Sequence, residues 1–97
     1  MEYRVSFDLD KEMTEKLYGD YTTAYAELKL DLCNHGFVFC EGMYVDDEDR
    51  DVVDVITSIQ QVAKRHSWVT TCVHNIKLLQ VKSVSDLAPA LDIVTGN

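Results

Sequence analysis

The sequence predicts an α+β fold: a split βαβ (ferredoxin-like) sheet with helices on one face and an extra C-terminal helix. Three observations carry this reading. Tyr3 to Asp10 alternate apolar and polar side chains with period two. Two later stretches place apolar residues at spacings of three and four, as amphipathic helices do. Short β-prone runs separate and follow those stretches, so the order reads β–α–β–β–α–β–α. The 97 residues make a single domain, 1–97, with one modest core.

In the first strand Tyr3, Val5, Phe7 and Leu9 point one way, and Arg4, Ser6, Asp8 and Asp10 the other. The helical stretch that follows breaks near Gly19-Asp20, and Tyr21, Ala24, Tyr25, Leu28 and Leu32 form its core stripe. Asp20 or Thr22 caps its start, and Asn34-His35-Gly36 suits a left-handed end. Phe37 to Cys40 and Met43 to Val45 are two β-prone runs about Glu41-Gly42, either a hairpin or one strand bulged at Gly42. Asp46 to Asp49 is an acidic connection. It leads to a second helix whose stripe is Val52, Ile56, Ile59, Val62 and Ala63, with Lys64-Arg65-His66 in its last turn. Carboxylates at the start and cations at the end match the helix dipole. Trp68 to Val73 reads as a helical turn or a lead-in. Ile76 to Val81 is the last strand, and Ser83 to Asp86 opens a short helix carrying Leu87, Ala90 and Leu91.

Composition narrows the function classes. Seventeen Asp and Glu against nine Lys and Arg leave a net charge of −8, which argues against coating nucleic acid by bulk electrostatics. A basic cleft on an acidic body, or an acidic protein with a basic partner, stays compatible with that charge. The amino terminus has no signal-peptide pattern, no apolar run reaches the length of a membrane span, and Cys33, Cys40 and Cys72 are odd in number. Free, partly buried thiols in the reducing cytoplasm are therefore expected.

Few motifs carry chemistry. Asp8 is the first candidate, a carboxylate in mid-strand, where Asp has poor propensity. The acidic run lacks the sixth-position Gly of a calcium loop and reads as helix-start charge. Cys33, His35 and Cys40 lack the paired spacing of a zinc site, and Cys33 is expected to pack in the core. Tyr18, Tyr21 and Tyr25 lie at helical spacing, so they read as core and interface residues. His74 and Lys77, at the start of the last strand, are kept as candidates, as is Tyr44.

Along the chain stand Phe7-Asp8-Leu9, Tyr21 with Ala24-Tyr25-Ala26-Glu27-Leu28, and Gly36-Phe37. Glu41-Gly42 with Tyr44-Val45 follows, then Trp68, Val73 with Ile76, and Ser85-Asp86-Leu87. This ordered set resembles the virulence-associated protein D family over nearly the whole chain. That family is similar in fold to the small nuclease subunit of CRISPR adaptation complexes. The resemblance implies a homodimeric endoribonuclease that cleaves single-stranded RNA, in some cases as a toxin with an antitoxin partner. It carries the catalytic role onto Asp8, and the candidates Tyr44, His74 and Lys77 are expected to support it at the cleft. In the dimer two copies of Asp8 would face one cleft, where they would bind a divalent cation (Mg²⁺ or Mn²⁺) or position a nucleophile. The chain departs from the family pattern at Glu41-Gly42-Met43-Tyr44, where Gln-Gly-Ser precedes an apolar residue and Tyr in relatives. It departs again at Val73-His74-Asn75-Ile76-Lys77, in place of Val-Arg-Asp-Ile-Arg. Both changes remove phosphate-binding groups. The alternative function is a non-catalytic acidic dimer that binds a basic protein or mimics nucleic acid.

Overall fold

Residues 2–81 are described by the computed structural model. The opening alternation forms strand β1 (Glu2–Leu9), with Tyr3 and Val5 buried and Phe7 and Leu9 at the core margin. Asp10 ends the strand and starts helix α1 (Lys11–Leu17), its Oδ1 accepting the Met13 N–H at 2.9 Å. Gly19, at φ +126°, separates α1 from α2 (Tyr21–Asn34). Of the two expected caps Asp20 is the one used, accepting the Thr23 N–H at 3.0 Å.

Strands β2 (Phe37–Cys40) and β3 (Met43–Asp46) form a hairpin, with no bulge at Gly42. Glu41 and Gly42 both have positive φ, 52° and 81°, as a two-residue type I′ turn requires. Helix α3 (Val52–Arg65) starts at Asp51, which accepts the Asp54 N–H at 2.9 Å. The ambiguous Trp68 region is a single helical turn, α4 (Val69–Cys72). It runs directly into β4 (Val73–Val81), which begins three residues earlier than the sequence pattern suggested.

The sheet order is β2-β3-β1-β4, and every neighbouring pair is antiparallel. β3 thus lies between the parallel strands β1 and β2, which makes the fold a ferredoxin-like split βαβ sheet. Ala24, Leu28 and Leu32 from α2 and Val55 and Val62 from α3 pack on Tyr3, Val5, Phe37 and Tyr44. One sheet face is therefore covered by helices and the other carries Arg4, Ser6 and Asp8. The expected C-terminal helix, with Leu87, Ala90 and Leu91, lies outside the described residues.

Two expectations are corrected. In α3 Val52, Ile59, Val62 and Ala63 pack on the core as expected and Val55 and Ser58 join them, whereas Ile56 is 44% exposed. One residue step turns a helix by about 100°, so with Val55 fully buried at the centre of the inward face Ile56 is carried toward solvent. Cys33 is exposed, because it neighbours Leu32 on α2 and falls one step off that stripe; Cys40 is exposed too, and Cys72 is buried. The α3 correction has a direct check in urea denaturation. Val55→Ala is expected to cost roughly 1.5–3 kcal/mol, and Ile56→Ala no more than about 0.5 kcal/mol. Equal costs would mean the helix is rotated.

Candidate active site

The site stands where β1 meets β4, on the sheet face that no helix among the described residues covers. Antiparallel partners share a face, and the register pairs Ser6 with Lys77 and Asp8 with His74. One residue lies between Ser6 and Asp8, but two lie between His74 and Lys77, so β4 carries a bulge. Asn75 takes up the extra length at φ +53°, in the left-handed region that Asn tolerates better than most residues. The bulge turns the Asn75 side chain onto the open face, where its Nδ2 donates to Asp8 Oδ2 at 3.0 Å. Ser6, Phe7, Asp8, Gly42, Asn75 and Lys77 line an open pocket of about 280 Å³ at this point.

His74 stands beside the pocket. Its Nε2 lies 3.4 Å from Asp10 Oδ2. Asp10 therefore does two things, capping α1 with one carboxylate oxygen and facing the imidazole with the other. The remaining histidines are used elsewhere. His35 Nδ1 donates to the Asp31 carbonyl at 2.7 Å, and His66 Nε2 lies 2.9 Å from the buried Asp31 carboxylate.

Three of the four residues expected at the site, Asp8, His74 and Lys77, thus come together. Tyr44 does not join them. It pairs with Val5 and Phe39, so its ring enters the helix-covered core, 2% exposed and stacked on Phe7 at 5.5 Å. Its hydroxyl has no hydrogen-bond partner among the described residues, and burial pushes its pKa up. Asn75, Asp10 and Ser6 are the residues that sequence reasoning did not place in the site. For Asn75 a signal existed: a residue prone to left-handed backbone, sitting inside a β-prone run.

The fit of a divalent cation follows from the donor set. The chain brings one carboxylate to the pocket, one oxygen of that carboxylate already accepts from Asn75, and Lys77 adds positive charge. No group of three or more His, Cys, Asp or Glu suited to an ion occurs among the described residues. The residues of one chain do not fit a bound Mg²⁺ or Mn²⁺.

Comparison with known proteins supplies an independent line. No family model matches the chain. An endoribonuclease VapD homolog of Helicobacter pylori is 29% identical over 93 residues, 95% of this chain and 98% of that protein. Endoribonuclease VapD 2 of Riemerella anatipestifer is 26% identical over 92 residues, 92% of this chain and 98% of its own length. Endoribonuclease VapD of Dichelobacter nodosus is 29% identical over 85 residues, 87% of this chain and 90% of its own. These matches run almost end to end and bear one family name, so the chain is similar to the VapD endoribonucleases over nearly its whole length.

Proposed function

We propose that the protein is an endoribonuclease acting on single-stranded RNA at the Asp8 pocket. The observation that carries this is the convergence of Asp8, His74 and Lys77 on the helix-free face, in a chain whose relatives are named endoribonucleases. Each group has work that suits its chemistry. Lys77 is a cation for a phosphate that the overall charge of −8 would otherwise repel. Asp8 is an exposed carboxylate able to take a proton or orient a nucleophile. Asn75 fixes one Asp8 oxygen and leaves the other directed at the substrate.

The test is incubation of purified protein with end-labelled single-stranded RNA, beside an Asp8→Ala variant, in Mg²⁺, in Mn²⁺ and in chelator. Asp8-dependent cleavage in any of the three supports the reading. Absence of cleavage in all three favours the acidic binding module, whose partner would be a basic protein.

The active form in this proposal is a homodimer, with two Asp8 copies facing one cleft. Val38 and Leu79 on the helix-free face are 46% and 39% exposed, apolar area that a second copy would cover. Light scattering at micromolar concentration is expected to return twice the chain mass; a monomer at every salt concentration would rule the dimer out. A toxin role with an antitoxin partner, in the bacterial cytoplasm, belongs to the same proposal. No helix among the described residues is long and apolar enough to cross a membrane.

A further inference from the structure

We infer that Asp8 and His74 form a proton-transfer pair that cleaves RNA through its own 2′-hydroxyl, leaving a 2′,3′-cyclic phosphate. This rests on the ribonuclease reading and specifies its reaction. Four observations lead to it.

First, Asp8 and His74 are direct cross-strand partners on one face. Their Cβ atoms therefore stand about 4.5–5.5 Å apart, near enough for both side chains to reach a single phosphodiester. Second, each group is held at one end and open at the other. Asp8 Oδ2 accepts from Asn75, which leaves Oδ1. His74 Nε2 faces Asp10, which leaves Nδ1. Third, Asp10 is anchored by the Met13 N–H, so the carboxylate facing the imidazole is fixed by the start of α1. A carboxylate there orients the ring, with Nε2 turned to Asp10 and Nδ1 turned away from it. Fourth, the donor set of one chain does not fit a metal ion, whereas a base and a cation line the pocket and an acid is paired with the base across the strands.

The step balances on these groups alone. Asp8 Oδ1 removes the proton from the 2′-hydroxyl, and the 2′-oxygen forms a bond to phosphorus. The bond from phosphorus to the 5′-oxygen breaks, and His74 Nδ1 gives its proton to that oxygen. Lys77 offsets charge on the non-bridging oxygens. The products are a 2′,3′-cyclic phosphate and a 5′-hydroxyl. Asp8 is left protonated and His74 neutral, and exchange with water restores both. Asp10 is a positioning residue here; Asp8 and His74 are catalytic.

End-group analysis decides the matter. RNA cleaved by the wild type, in chelator, is expected to carry cyclic phosphate and 5′-hydroxyl ends, and a 2′-deoxy residue at the cleaved position should abolish cleavage. His74→Gln should lower kcat by roughly 10²–10⁴-fold with KM within about threefold. A linkage with sulfur in place of the 5′-oxygen should restore most of that loss, because a thiolate leaves without a proton. Asp10→Asn keeps a good N-cap, and it should lower kcat by roughly tenfold with KM unchanged, recovering on the same sulfur linkage. Asp8-dependent cleavage that yields 5′-phosphate ends would overturn this chemistry and leave the ribonuclease reading standing. So would a His74→Gln defect that the sulfur linkage fails to relieve. No cleavage of any RNA overturns both.

Discussion

Asp8→Ala is expected to lower the RNA cleavage rate by roughly 10²–10⁴-fold, the range that a single proton-transferring group contributes. Its effect on stability should stay within about 0.5 kcal/mol, as for other exposed substitutions. The separation follows from where Asp8 sits. The residue is exposed, its side chain accepts from the equally exposed Asn75, and it is not one of the core residues. Asp is moreover a poor strand residue, so Ala in its place removes little that holds β1 in the sheet. Asp8→Asn sharpens the test, since its amide oxygen still accepts from Asn75 while the basic oxygen is gone. It should cleave as poorly as Asp8→Ala. Melting temperature and initial rate measured on the same samples distinguish the two effects. If Asp8→Ala cleaved as fast as the wild type, the carboxylate would have no part in the reaction, and His74 would become the principal candidate.

Much of this site was legible before any coordinates. Strict alternation from Tyr3 to Leu9 placed Asp8 on the face opposite the core, and the two helical stripes identified which face would be covered. Parity also held the answer for Tyr44. A two-residue turn at Glu41-Gly42 sets Tyr44 opposite Phe39, so its ring follows the aromatic face inward. Leaving the hairpin and the bulged strand both open hid that. Asn75 was harder, because a bulge adds a residue to one strand and breaks the period of two on which strand reading depends. Asp10 was read only as the last polar residue of the strand. Its contact with His74 joins positions 64 residues apart in sequence (74 − 10) and exists only once β4 has paired with β1. The acidic connection before α3 reads as helix-start charge, and Asp51 does cap α3. Asp46 at its start is different: it is buried at 8% exposure.

Asp46 carries the second large prediction. Its carboxylate accepts the backbone N–H and the side-chain Nε of Arg50, each at 2.8 Å, and Arg50 continues through Nη1 to Ser58 on α3. The guanidinium also lies over the Phe37 ring, 5.1 Å from its centre. One side chain thus joins β3, β2 and α3. Gly36 belongs to the same arrangement, since a Cβ there would come within 2.7 Å of Arg50. Arg50→Leu leaves Asp46 buried without its cation, and breaking a buried pair in this way costs about 3–5 kcal/mol, a large part of a small domain's stability. Arg50→Lys retains the charge but not the fork that spans Asp46 and Ser58, and should lie between.

The pH dependence fixes the cause. Burial pushes the Asp46 carboxyl up, and the Arg50 bonds and charge outweigh it, holding the group below the ordinary carboxylate value. A depressed carboxylate contributes stability that is complete above its unfolded value, about 3.9. That contribution is lost as pH falls through the lower folded value. In Arg50→Leu burial is no longer outweighed by the guanidinium, so the group takes up a proton at higher pH and the penalty is relieved. The stability gap between wild type and Arg50→Leu, read from urea midpoints, should be widest at pH 7 and narrow at pH 4. A gap that is the same at both values would mean that Arg50 acts through its packing on Phe37 and Ser58 rather than through the Asp46 charge.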